Sequence, residues 1–78
     1  MITLAAYSVG QEGIIEDVQG DEDVLFRLFN MGFTPGTRAR VMLCSPTGET
    51  MVVRLRGCLF SLRRSDAACV RMKDKRRK

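Results

Sequence analysis

The chain has no histidine and no tryptophan, and only one tyrosine. Without histidine the usual general base near neutral pH is missing. No serine, cysteine or lysine sits beside an evident activating group, and no glycine-rich stretch has phosphate-cradling spacing. Gly10-Gln11-Glu12-Gly13 lacks the Lys-Ser/Thr of a P-loop and reads as a turn. The composition therefore points away from enzymes. Tyr7 and four phenylalanines are too few aromatics for a broad stacking platform on single-stranded nucleic acid. No apolar run approaches the ~20 residues needed to span a bilayer. No charged segment followed by an apolar one marks a secretory leader. The three cysteines, Cys44, Cys58 and Cys69, form no CxxC pair, and their odd number argues against a disulfide framework. These features place the chain in the cytoplasm, with its thiols reduced.

The 78 residues suffice for one domain near the lower size limit for a self-sufficient core. Charge is unevenly spread. Arg71 to Lys78 holds six basic residues and Asp74, a sum of +5. The remainder has 7 basic and 8 acidic residues, a sum of −1. The domain is read as residues 1–72. Residues 73–78 are read as a disordered basic tail, a solvated end that can also touch acidic lipid or an acidic protein surface. Nucleic acid ranks behind these, because the body adds no net positive charge to the tail's footprint.

Leu4, Ala5, Tyr7 and Val9 read as an extended lead-in that lays apolar side chains on the core. Residues 13–18 form a first strand, with Ile14, Glu16 and Val18 on one side and Ile15 and Asp17 on the other. Asp21 then caps a helix over about residues 21–31, with Glu22 and Asp23 at its positive end. Val24, Leu28 and Met31 make its buried stripe, with Leu25 and Phe29 beside it. Gly32 stops the helix and Pro35-Gly36 turns the chain. Residues 38–44 alternate, with Ala39, Val41 and Leu43 facing one way, and residues 50–56 alternate again. After Gly57 a third strand of this group covers residues 58–62. Ser65 caps a single helical turn, and residues 70–72 close the domain as a last strand. The expectation is a mostly β fold: a small barrel of about five short strands with one inserted helix.

The run Gly10-x-x-Gly13-Ile14 opens a pattern that continues through Leu28-x-x-Met31-Gly32-Phe33-x-Pro35-Gly36-Thr37. Pro46-x-Gly48, Gly57 and Leu62-Arg63-x-x-x-Ala67-x-x-Val70 complete it. Across residues 4–72 this resembles the FeoA family. The resemblance implies an SH3-like β-barrel and a small cytosolic accessory protein of bacterial ferrous iron uptake. It implies a partner, FeoB, a membrane transporter with a cytosolic GTP-binding domain. Membrane contact would then be indirect or through the basic tail, with no small-molecule substrate and no cofactor. The same barrel ends metal-dependent repressors, but no DNA-reading or metal-ligand domain precedes it here. Phe26 and the basic tail depart from the family pattern.

The residues assigned to partner binding are Phe26, Leu28, Phe33, Arg54 and Arg56. Phe26 lies opposite the apolar stripe. It is either an interface anchor or packed under the lead-in around Leu4 or Tyr7. Leu28 belongs to the core of the contacting helix, and Phe33 plugs the barrel end. Arg54 and Arg56, with Arg63 and Arg64, offer a basic strip to an acidic partner or simply face solvent. No metal site is assigned. The three cysteines read as buried structural thiols, with a thiolate metal-sensing site as the alternative. Asp21-Glu22-Asp23 reads as helix-start chemistry, with a weak ferrous contact left open. The runner-up functions are a tail-driven nucleic-acid module and that metal sensor.

Overall fold

The computed structural model describes residues 2–73. Six antiparallel strands follow the order β1-β6-β2-β3-β4-β5. They are β1 (Ile2–Thr3), β2 (Glu12–Val18), β3 (Arg38–Cys44), β4 (Thr50–Leu55), β5 (Cys58–Arg63) and β6 (Val70–Met72). Helix α1 (Glu22–Met31) joins β2 to β3, and the one-turn α2 (Arg64–Ala67) joins β5 to β6. The fold is mostly β with one full helix, as expected. The strand count is six because the lead-in begins with β1, which pairs with β6. Two residues are too short a run for alternation to reveal. The order is linear, and among the described residues β1 and β5 stay unpaired to each other, so the barrel is not closed.

β2 serves two neighbours. Glu12 to Ile14 pair with β3, and Ile15 to Val18 pair with β6. Between Ile15 and Asp17 the register slips by one residue. This bulge brings Ile15 and Val18 onto the same buried face, so the simple alternation that grouped Val18 with Ile14 fails. A second bulge between Val41 and Leu43 rotates Leu43 outward, where it is 63% exposed. Ala39 and Val41 keep the core position that the sequence pattern gives them. Val9 points to solvent, contrary to expectation, whereas Leu4 and Tyr7 are buried as expected. The lead-in is not extended throughout, because Leu4–Ala6 form a 3₁₀ turn.

The helix ends are built by local chemistry. Val24 N donates to Asp21 Oδ1 at 3.0 Å, the expected N-cap. At the other end Gly32 adopts φ 106°. Its N–H donates to Phe29 O, and Phe33 N–H donates to Leu28 O, both at 3.0 Å. That is a Schellman motif, whose hydrophobic pair here is Leu28 and Phe33. Thr37 N–H then donates to Thr34 O across Pro35-Gly36, with Gly36 at φ 91°, a type II turn. Ser65 does not cap α2. Arg63 stands at the cap position without a side-chain bond, and Ser65 lies inside the turn.

Candidate surface sites

The five partner-binding residues separate into three environments. Leu28 and Phe33 are fully buried in the central cluster with Ile15, Val53, Leu55 and Met72. Phe33 also meets Phe60 edge to face, with ring centroids 6.3 Å apart. Neither side chain is presented to a partner, because the helix cap commits both to the core. Truncating either would open a cavity costing about 2–5 kcal/mol.

Phe26 is the reverse case. It is 71% exposed, and the lead-in packs without it. With Met31 and Phe60 it lines an open groove rimmed by Asp23, Arg27 and Asn30. Phe29, expected beside the buried stripe, is 44% exposed on the same helix. Arg27 Nη2 donates to Asp66 Oδ1 at 3.0 Å, tying α1 to α2 at the groove's rim. β5, which supplies Phe60, is an end strand of the sheet. The groove therefore combines an apolar floor, a mixed-charge rim and a neighbouring strand edge. Phe60 carried no signal in the sequence, since a phenylalanine in an alternating strand reads as core.

Arg54 and Arg56 lie elsewhere. Val53, whose side chain is buried, pairs with Phe60, whereas Arg54 pairs with Leu59 on the opposite face of β4 and β5. There Arg38, Arg40, Arg54 and Arg56 line a cleft with Glu12, Thr37, Gly36 and Gly57. Arg38 Nη1 donates to Glu12 Oε2 at 2.9 Å, and Arg40 Nη1 is 3.7 Å from Glu12 Oε1. Arg56 Nη2 donates to Thr37 Oγ1 at 3.1 Å. The expected strip of Arg54, Arg56, Arg63 and Arg64 is thus not one surface. Arg63 and Arg64 border a separate depression with Thr47 to Thr50. Arg38 and Arg40 take their place, and the β3–β4 register that adds them is a tertiary fact.

No three or more Cys, Asp or Glu side chains converge to hold a metal among the described residues. Cys44 and Cys69 are half-buried and Cys58 is exposed. Cys69 Sγ lies 3.6 Å from Ser65 O. Asp21 spends a carboxylate oxygen on its cap. Among the described residues no helix is long and apolar enough to cross a membrane. Lys73, the first residue assigned to the basic tail, donates its backbone N–H to Ile14 O at 2.9 Å. The rest of the tail lies outside the described residues.

A bent, unclosed antiparallel sheet with a helix between β2 and β3 defines the class of small SH3-like proteins. The FeoA domain model matches residues 2–74, and the chain belongs to the FeoA family, which is associated with ferrous iron transport as an accessory component. Solved structures agree. The zinc complex of Stenotrophomonas maltophilia FeoA shares 27% identity at a TM-score of 0.83, over 94% of this chain and 91% of that one. It is described as a prokaryotic SH3 domain protein and a candidate ferrous iron transport activating factor. A FeoA-like protein from Clostridium acetobutylicum shares 26% identity at a TM-score of 0.81, over 88% of this chain and 80% of that one. A manganese-dependent transcriptional repressor matches at 18% identity and a TM-score of 0.81, over 88% of this chain but 39% of its own; this likeness is one of fold alone. No protein in the curated set matches the chain.

Proposed function

We propose that the protein is a cytoplasmic docking module. It binds the cytosolic part of a FeoB-like transporter and modulates ferrous iron uptake, without performing a chemical step of its own. Phe26 carries this reading. Leaving an aromatic ring 71% exposed forfeits most of its burial energy, and Phe26 sits on an apolar groove beside a strand edge. Docking recovers that energy at the interface, where aromatic anchors contribute most. Leu28 and Phe33 support the surface from beneath by fixing the end of α1. Modulation requires that the module bind one state of the transporter more tightly than another.

The test is calorimetric titration of the protein with the transporter's isolated cytosolic domain, in each nucleotide state. Saturable binding is expected, with affinity that changes between nucleotide states. Phe26→Ala should weaken it by roughly tenfold or more while the thermal midpoint stays unchanged. Absence of binding at high micromolar concentration in every nucleotide state would remove the proposal. So would a Phe26→Ala protein that docks as well as the parent.

A further inference from the structure

The arginine cleft has no part in that docking face, and its construction is unusual. β3 and β4 pair Arg40 directly with Arg54. The paired register ends at Ala39–Leu55, and the residues next beyond it, Arg38 and Arg56, line the same cleft. Arg38 and Arg40, two apart on β3, share a face, and with Arg54 and the turn residue Arg56 they line one cleft, so four guanidinium groups gather in one array. Like charges placed directly opposite one another destabilise a sheet, and Arg40–Arg54 is such a pair, with Arg38 and Arg56 beyond its end.

The surrounding charges leave the array largely uncompensated. Four arginines against Glu12 sum to +3 among the cleft residues. The body of the chain outside the basic tail sums to −1. The positive charge is therefore concentrated here against the trend of the whole. Glu12 contacts Arg38 and Arg40, which anchors one side of the array. Among the described residues the Arg54 side chain has no hydrogen bond or ion pair.

Arg56 supplies the second anomaly. It is the one residue other than glycine with positive φ among the described residues, at 51°. With Gly57 at 85° it makes the two-residue type I′ hairpin between β4 and β5. Asparagine, aspartate or glycine suits that position better than arginine. The strained backbone holds a side chain that donates to Thr37, itself 5% exposed. Strain kept at a charged, anchored side chain is a mark of function.

We propose that this cleft is a binding site for a compact phosphate-bearing polyanion, a chain of two or three linked phosphates. The planar guanidinium fork matches phosphate oxygens in bidentate geometry, and anchoring by Glu12 and Thr37 reduces the entropy lost on binding. Positions two apart on β3 are separated by about 6.6 Å along the strand, so a short chain of phosphates suits arginines set at that spacing better than a single phosphate does. Gly36 and Gly57 border the cleft with no atom within 4 Å of where a side chain would begin, so the ligand meets open backbone there.

Inorganic tripolyphosphate is the probe, titrated into the full chain and followed by amide chemical shifts. The expected result is saturable shifts at residues 36–40 and 54–57. Arg54→Ala and Arg40→Ala should each weaken binding by roughly tenfold, whereas Arg63→Ala, outside the cleft, should leave it unchanged. Arg56→Gly relieves the backbone, so it should weaken binding while the thermal midpoint holds or rises; a merely structural arginine would not separate the two. A nucleoside triphosphate that binds equally marks the phosphates alone as the determinant, and one that binds more tightly marks a nucleotide as the source. Either outcome upholds the site. No saturable shift at millimolar tripolyphosphate, or an affinity indifferent to Arg54→Ala, would overturn it. Tighter binding of a glutamate-rich peptide or of an oligonucleotide at the same arginines would overturn it as well.

Discussion

Tyr7 is the single tyrosine of the chain, and desolvation by burial raises its phenol above the usual value of 10.0. The ring lies so close over Gly13 that a side chain there would overlap the hydroxyl. This explains why β2 carries glycine at a buried strand position. The titration has a defined sign. The folded state holds the phenol proton more tightly than the unfolded chain, so the Tyr7 contribution to stability is intact below about pH 10 and declines as pH rises beyond it. Ultraviolet absorbance of the phenolate should give a midpoint above that of free tyrosine in the folded protein and an ordinary midpoint in denaturant. Denaturant titrations should lose stability above pH 10. Equal midpoints in both states would contradict the burial argument. Arg56 belongs to the same scale: one backbone angle distinguishes a positioned cation from the other exposed arginines.

Among the elements, α1 depends most on its ends. Ten residues make fewer than three turns, too short for independent stability in water. Its start is the Asp21 cap, followed by Glu22 and Asp23 at the positive end of the dipole. Asp21→Ala is expected to cost about 1 kcal/mol, which in a domain of this size lowers the thermal midpoint by roughly 4–8 °C. Thermal unfolding followed by circular dichroism measures it, and Asp21→Asn should recover most of the loss. A fully stable Asp21→Ala protein would mean that packing alone holds the first turn. The strands show a different dependence. The bulges in β2 and β3 each insert one residue, and each changes which side chains reach the core. Leu43 is exposed for that reason and not because the strand is mispatterned.

At the scale of the molecule two surfaces are separated by the sheet. The Phe26 groove uses α1 and the inner face of β5, and the arginine cleft uses the outer faces of β3 and β4. They share no lining residue. Phe26→Ala should therefore leave tripolyphosphate affinity unchanged, and Arg54→Ala should leave transporter docking unchanged. A Phe26→Ala, Arg54→Ala double variant should show effects that add within about 0.5 kcal/mol, as distant sites do. Larger coupling would show that one ligand engages both surfaces. Charge is arranged on the same plan, with an acidic helix start near one surface and a +3 cleft at the other.

Much of the fold was legible in the residues because it rests on local rules. Asp21, Gly32 and Pro35-Gly36 act over a few neighbouring positions, and the alternation of Thr50 to Leu55 declares its own buried face. Other features depend on which strand lies beside which. A bulge exists only relative to a partner, so the sequence of β3 could not show that Leu43 turns outward. A stripe opposite a helix core left Phe26 two possible homes, and only the packed molecule leaves it on the surface beside Phe60. Arg40 and Arg54 are far apart along the chain. The register of two antiparallel strands makes them neighbours, because hydrogen bonding across a sheet joins residues that no local pattern connects.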